Sequence, residues 1–319
     1  MASPNSTFTE MVTTTLRNHP TEIADNVSTH NALYNRLKTK GKIKLVSGGY
    51  EIVRPLDHAS NATIQRYSGY DTLSVGESDV LTAAKYDWVQ MAVNVVASGR
   101  ELRMNSGREQ LIDLADARTT NAMRTAANTM SIDLYGSGAL SNQMGGLGHI
   151  ITSNGEGSPG GINAATYTMW KNQYFECSTA PTKSTIKTHM NVLWLKCVRG
   201  NDKPDLIPSS HDFFGFYWES LQDLQRYASA DNATAGFQSL KYVTADVIFD
   251  TNTNFSTTAE IMYYVNTNYL ELVAHRDANW AILDEKMSVN QDAVVIPIIW
   301  MGQLVCSNRA LQGKLIDEA

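Results

Sequence analysis

GGYEIVRPL (Gly48–Leu56) and YDWVQMAVNVVASG (Tyr86–Gly99) are the stretches against which the rest of the chain is read. In the first, Tyr50 and Ile52 alternate with Glu51 and Val53. In the second, Val89, Met91, Val93 and Val95 alternate with Gln90, Ala92 and Asn94. Successive side chains of an extended chain point to opposite sides, so a two-residue period marks strands with one buried face. The intervening residues are polar, include YSGYDTL (Tyr67–Leu73), and carry no strong helical pattern. The whole therefore reads as a long hairpin. With roughly 20 residues per arm at ~3.3 Å each it reaches ~60 Å. A two-stranded ribbon is marginal alone in water. The reading expects it to lie on something else, in the first instance another copy of the chain.

Downstream, Ser106-Gly107-Arg108-Glu109 forms a capping box. No Gly or Pro interrupts Arg108–Tyr135, and Gly136 supplies the stop. This predicts a helix over 107–135, ~42 Å long, with Leu111, Leu114, Ala115, Ala122, Ala126 and Ile132 on its buried stripe. Upstream, residues 1–28 are polar and aperiodic. A short helix is expected from a Thr29 cap through Leu33 and Leu37 to Gly41. Arg36, Lys38, Lys40, Lys42 and Lys44 make a basic run, read as a solvated face or as a contact for an anion, on nucleic acid or a partner's acidic patch.

The glycine-rich segment 136–163 reads as a domain boundary with a short strand at His149–Thr152. Beyond it, a helix is expected over Ser184–Arg199, with Ile186, Met190, Leu193 and Cys197 on one face and Gly200 as stop. A second is expected over Asp212–Ala228, capped by Ser210, with Phe214, Tyr217, Leu221, Leu224 and Ala228 inward. Strands are expected at Asp205–Ile207, Ala245–Phe249 and Ile261–Val265, and a helical turn at Asn268–Val273. Ala293–Trp300 and Gln303–Ser307, joined by Met301-Gly302, read as a hairpin packed on the long helix. Pro297 implies an edge or a bulge there.

Composition narrows the function. The 319 residues are 43% hydrophobic and carry a net charge of −6, which disfavours a dedicated nucleic-acid binder. Cys177, Cys197 and Cys306 are odd in number and form no CxxC, so they read as small apolar residues in a reducing compartment. No apolar run reaches 18 residues and no secretory leader is recognisable at the start, so neither a membrane span nor secretion is expected. The sequons at Asn5, Asn26, Asn61, Asn232 and Asn254 are read as chance in an Asn/Thr-rich chain.

Candidate chemistry is sparse. GEGSPG (Gly155–Gly160) matches GxGxxG, but Pro159-Gly160-Gly161 breaks the helix that phosphate binding needs, and Glu156 repels an anion. Ser184–Lys187 matches SxxK without its partner motifs. Cys177, His189 and Cys197 lack zinc spacing. The six tryptophans, Trp88, Trp170, Trp194, Trp218, Trp280 and Trp300, read as packing residues. No catalytic, cofactor or metal site is therefore expected.

The two opening stretches, with RGNDKPDLI (Arg199–Ile207), QRYASADNATAGFQSLKYVTADVIFD (Gln225–Asp250), YYVNTNYLEL (Tyr263–Leu272) and NQDAVVIPIIWMGQLVCSNRALQG (Asn290–Gly313), resemble the major capsid proteins of tailed bacteriophages. The resemblance is collinear from about Asn31 onward, although Gly136–Ala139 replaces a more acidic turn. It implies an α+β chain with the HK97-type capsid fold. The parts are an N-terminal arm (1–44), an extended loop (45–99), a peripheral domain (100–140 and 281–319) with its spine helix, and an axial domain (141–280). It also implies self-assembly into pentamers and hexamers of an icosahedral virion shell, built in the host bacterial cytoplasm. Implied partners are a portal, scaffolding or decoration proteins, and packaged DNA held only weakly. Candidate intersubunit contacts are Asn61, Tyr67, Tyr70, Asp71, Lys85 and Trp88. Two rivals are an encapsulin-like compartment and a soluble enzyme whose site assembles from distant residues.

Overall fold

The computed structural model describes residues 31–100, 108–177, 180–221, 239–250, 252–255, 260–284, 286–287 and 292–317, with backbone alone over 108–117. The elements in chain order are α1 (Ala32–Thr39), β1 (Ile43–Val46), β2 (Ile52–Asp57), β3 (Leu81–Tyr86), β4 (Val89–Ser98), α2 (Arg108–Tyr135), α3 (Leu147–Ile150) and β5 (Gln173–Glu176). They continue with α4 (Ile186–Cys197), β6 (Leu206–Ser209), α5 (His211–Ser220), β7 (Ser239–Tyr242), β8 (Ala245–Phe249), β9 (Glu260–Tyr264), β10 (Leu270–Ile282), β11 (Lys286–Met287), β12 (Ala293–Cys306) and β13 (Gly313–Asp317). They form a mixed α+β chain with three sheets.

The first sheet is built on β12, which pairs antiparallel with β4 along one side and with β10 and then β11 along the other. β1 adds parallel to β10. The second sheet runs β5-β13-β9-β6-β8-β7. The third is the two-stranded hairpin β2–β3.

The returning arm of the expected hairpin is thus two strands with different partners. β3 pairs with β2, whereas β4 joins β12 over ten residue pairs, from Ala293↔Ser98 to Gly302↔Val89. Each hairpin arm has six residues, or about 20 Å at strand spacing, rather than ~60 Å. Alternation along β4 holds: Val89, Met91, Val93 and Val95 turn toward the core and Gln90, Ala92 and Asn94 toward solvent. A two-residue period reports which face is buried and says nothing about which strand lies alongside. Tyr50, expected on the buried face, is 94% exposed.

Ala293–Cys306 is likewise one 14-residue strand and not a hairpin. Gly302 is there for packing rather than turning: a Cβ would stand 2.5 Å from the Val273 carbonyl oxygen and 2.6 Å from the Trp300 ring. Pro297 sits in this interior strand. Its carbonyl accepts from Leu283 N–H (2.9 Å), so its nitrogen faces the same neighbour, between the end of β10 and the start of β11. The missing N–H forgoes the reciprocal bond to Leu283 O, and it does so where the β10 ladder ends and before that of β11 begins.

α2 spans Arg108–Tyr135 as expected, while its capping box lies outside the described residues. Ala122, Met123, Ala126, Ala127, Met130 and Leu134 are buried against α1, β4 and β12 in one core. Ile132 points outward, 39% exposed, because six residues beyond Ala126 is two-thirds of a turn off the stripe. The last carbonyls of α2 have no helical partners. Ile132 O, one of these, accepts from the Asn254 side chain (2.8 Å), and Asn252 adds a bond to Ser131 O one residue earlier (2.8 Å). Asn31, the actual cap of α1 in place of Thr29, accepts from Tyr34 N–H and also donates to Ser131 Oγ (2.9 Å). Leu33 and Leu37 are fully buried beneath it, each contributing about 2 kcal/mol.

In the six-stranded unit, Ile186, Met190, Leu193 and Cys197 of α4 are all fully buried against the sheet, as their spacing predicted. α5 buries Phe214 and Tyr217 and ends at Ser220; the expected continuation through Leu224 and Ala228 lies outside the described residues. Ser210 stands at its N-cap position without a side-chain cap bond. Two local expectations fail. His149–Thr152 is the end of the short helix α3 and not a strand. Asn268–Val273 is strand but for a single 3-10 turn at Thr267–Tyr269. All three cysteines are buried and free.

Four members of the basic run find partners within the chain. Arg36 pairs with buried Asp246, Lys40 with Asp205 (2.9 Å) and Lys44 with Glu271 (2.7 Å), while Lys42 donates to Asn268 O (2.8 Å). The anions that this run contacts are Asp205, Asp246 and Glu271 of the same chain, while Lys38, Lys40 and Lys44 stay on an exposed face as the first expected reading has it.

Candidate functional site

The hairpin β2–β3 has two unlike faces. Ile52, Leu56, Ala84 and Tyr86 turn inward onto Ala164, Trp170, Val273 and Val305. This face therefore lies on its own chain, on the loop that contains the GxGxxG match. Gly160 makes that approach possible at φ +66°, where a Cβ would be 2.8 Å from Ala84 Cβ. Tyr86 Oη donates to Cys306 O (3.0 Å) and accepts from Cys306 N–H (3.3 Å), and burial raises its pKa well above 10. Arg54 reaches Glu271 (2.5 Å), the acid that also holds Lys44. The opposite face carries the cross-strand pairs Val53–Lys85, Pro55–Ala83 and Asp57–Leu81, with Val53 and Leu81 exposed.

Between the strands, residues 58–80 form a tip without regular secondary structure. His58 N–H donates to Val80 O (2.9 Å) and closes its neck. Asn61 Oδ1 accepts from Thr63 N–H (2.9 Å) and Oγ1 (2.7 Å), and Asp71 Oδ2 accepts from Ser68 N–H (2.8 Å). Both are local turns of the kind Asn and Asp favour. What the tip presents is apolar. Ile64 is 88% and Val75 95% exposed, Tyr70 is fully exposed, and Tyr67 and Leu73 are more than half exposed. Isolated apolar residues on a surface are ordinary; five on one loop make the tip the candidate contact surface.

The six residues expected from sequence therefore divide. Tyr67 and Tyr70 stand on the exposed tip. Asn61 and Asp71 shape its turns. Lys85 lies on the outer face, 3.5 Å from Glu51. Trp88 stands apart at the root, half-buried, with its indole N–H on Gly49 O (2.9 Å) and its ring edge-on to His275. Ile64, Leu73 and Val75 were not anticipated. They follow no period, and their signal is only the concentration of large apolar residues in a segment too polar to be core.

Arg309 was also missed. It is fully buried and donates to four main-chain carbonyls, Ile150, Gly155, Glu156 and Trp170, and to Thr152 Oγ1. Burial lowers its pKa to about 10, so it stays cationic at neutral pH. The GEGSPG loop thus wraps an arginine instead of a phosphate. Lys187 of the SxxK match donates to Ser220 O (2.7 Å). Cys177 Sγ lies 3.4 Å from His189 Nδ1, with burial raising the thiol to about 12, far from a reactive thiolate. Among the described residues no group of three or more His, Cys, Asp or Glu is placed to hold a metal, and no helix is long and apolar enough to cross a membrane.

No protein-family model matches the sequence, and no curated protein does. Solved structures match its architecture. The capsid of cyanophage A-1(L) aligns over 86% of this chain and 89% of its own, with a TM-score of 0.61 at 14% identity. This is the HK97-type capsid fold. Mycobacterium phage Bobi shares it at 12% identity and a TM-score of 0.53, over 88% of this chain and 90% of its own. So does the SrpI encapsulin of Synechococcus elongatus PCC 7942, at 8% identity and 0.54, over 88% and 86%. Identities this low establish the HK97-type fold and leave function to the surfaces just described.

Proposed function

We propose that the chain is a major capsid protein, the repeating subunit of an icosahedral shell that encloses double-stranded phage DNA. The observation that carries the reading is the projecting tip, whose apolar side chains are exposed in the single copy. In the proposed shell each hairpin lies over a neighbouring copy. The α2 unit with its β12 sheet serves as the peripheral domain, and the six-stranded unit as the axial domain that meets its counterparts around five-fold and six-fold axes. Stability then comes from many repeated contacts rather than one tight interface. An acidic chain of net charge −6 suits a container that does not grip its contents.

Electron microscopy and size-exclusion chromatography of the purified chain test this directly. Rings or closed shells are expected; a monomer that persists across salt and concentration sinks the proposal. Deleting about 59–76 is expected to leave a folded, soluble chain that forms no shells. The encapsulin match favours one alternative, a compartment for protein cargo. Particles isolated from cells separate the two readings: phage DNA inside supports a capsid, and a protein cargo without DNA supports a compartment.

A further inference from the structure

One side chain closes the tip of the hairpin. Gln65 Nε2 donates to Thr72 O (2.9 Å), and Gln65 Oε1 accepts from Ser74 N–H (3.1 Å). A side-chain amide carries the same donor and acceptor as a peptide group. Gln65 thus acts as a substitute strand partner in a stretch that has no ladder of its own. Both of its partners lie beyond Tyr67 and Tyr70, so the turn bearing those rings is clasped at its base. Within the clasp, Asp71 N–H donates to Ser68 O (3.2 Å) and Ser68 N–H to Asp71 Oδ2 (2.8 Å), which tightens the turn. The rings are left exposed, and the tip belongs to no buried core cluster among the described residues. Its shape is therefore set by these polar brackets and not by packing.

We infer that Gln65 is a positioning residue for assembly: its amide fixes the turn that presents Tyr67 and Tyr70 to a second copy of this chain. The inference rests on the tip being an intersubunit contact, as proposed above. A contact ordered before docking loses less conformational entropy on docking. Removing the bracket therefore weakens assembly without touching any group that makes the contact.

The test compares wild type, Gln65→Ala, Gln65→Glu and Tyr70→Ala in the full chain. Amide exchange at Ser74 is measured in unassembled protein, and the critical concentration for shell formation is measured by light scattering. In wild type the Ser74 amide is expected to be protected. Gln65→Ala should abolish that protection and raise the critical concentration roughly tenfold, the scale of two modest hydrogen bonds, with the thermal midpoint unchanged. Gln65→Glu keeps the Ser74 bond but sets a carboxylate against the Thr72 carbonyl, so it should assemble as poorly as Gln65→Ala. Tyr70→Ala should impair assembly with Ser74 protection intact. A Gln65→Ala chain that assembles at the wild-type concentration overturns the inference; if Tyr70→Ala is impaired in that experiment, the tip contact itself stands. Wild-type assembly by both variants, or a wild-type chain that never assembles, removes the contact as well.

Discussion

Arg309 sits where a single side chain decides how a whole segment lies. Four of its acceptors are main-chain carbonyls between Ile150 and Trp170, so it ties the glycine-rich segment to the C-terminal part of the chain. Arg309→Met leaves those carbonyls buried without donors and is expected to cost about 3–5 kcal/mol in urea denaturation. Arg309→Lys should recover little of it, since an ammonium lacks the planar fork that reaches several acceptors at once. Asp250 shows the opposite balance. Burial raises its carboxyl above the ordinary 3.8, partly offset by Asn252 N–H on Oδ1 (3.0 Å). The native state thus binds this proton more tightly than the unfolded chain. The stability linked to it is fully present below about 4 and is lost as pH rises through the raised value. Asp250→Asn, which keeps an acceptor at Oδ1, is expected to be more stable than wild type at pH 7. That advantage should shrink as pH falls through the raised value toward 4, as read from urea midpoints. Side-chain spacing made the buried faces of α1 and α4 legible. It could not reveal Arg309, because a lone arginine near a chain end carries no pattern.

At the scale of elements, boundaries set by the chain's own chemistry were readable. α2 begins and ends where Gly and Pro permit, and the β8 limits match the apolar run. Partners were not readable. Asp87 and Trp88 interrupt the returning arm, and nothing in that dipeptide announces that β4 leaves β2 for a strand 200 residues away. Met301-Gly302 misled for a different reason: glycine there admits a carbonyl and an indole rather than a turn. Gly302→Ala is accordingly expected to break the β10–β12 register, giving insoluble or molten protein by near-ultraviolet circular dichroism, whereas an alanine in a true turn would be mild.

Across the whole molecule, Glu271 joins three parts. Its carboxylate meets Lys44 of β1 and Arg54 of β2 from its own place on β10, so the N-terminal segment and the hairpin share one anchor. Glu271→Gln is expected to lower stability by about 1–2 kcal/mol and to speed amide exchange in both Ile52–Asp57 and Leu81–Tyr86, while α4 and β8 keep their protection. The six-stranded sheet has a consequence of another kind. β13 is an interior strand, held parallel to β5 and antiparallel to β9, yet it comes from residues 313–317. A chain cut before residue 313 therefore lacks the strand that joins β5 to the rest of that sheet, whatever has already folded ahead of it. Order of synthesis thus gives this sheet a built-in proofreading step: β5, made about 140 residues earlier, stays unjoined until residues 313–317 arrive, so prematurely terminated chains carry an open sheet edge.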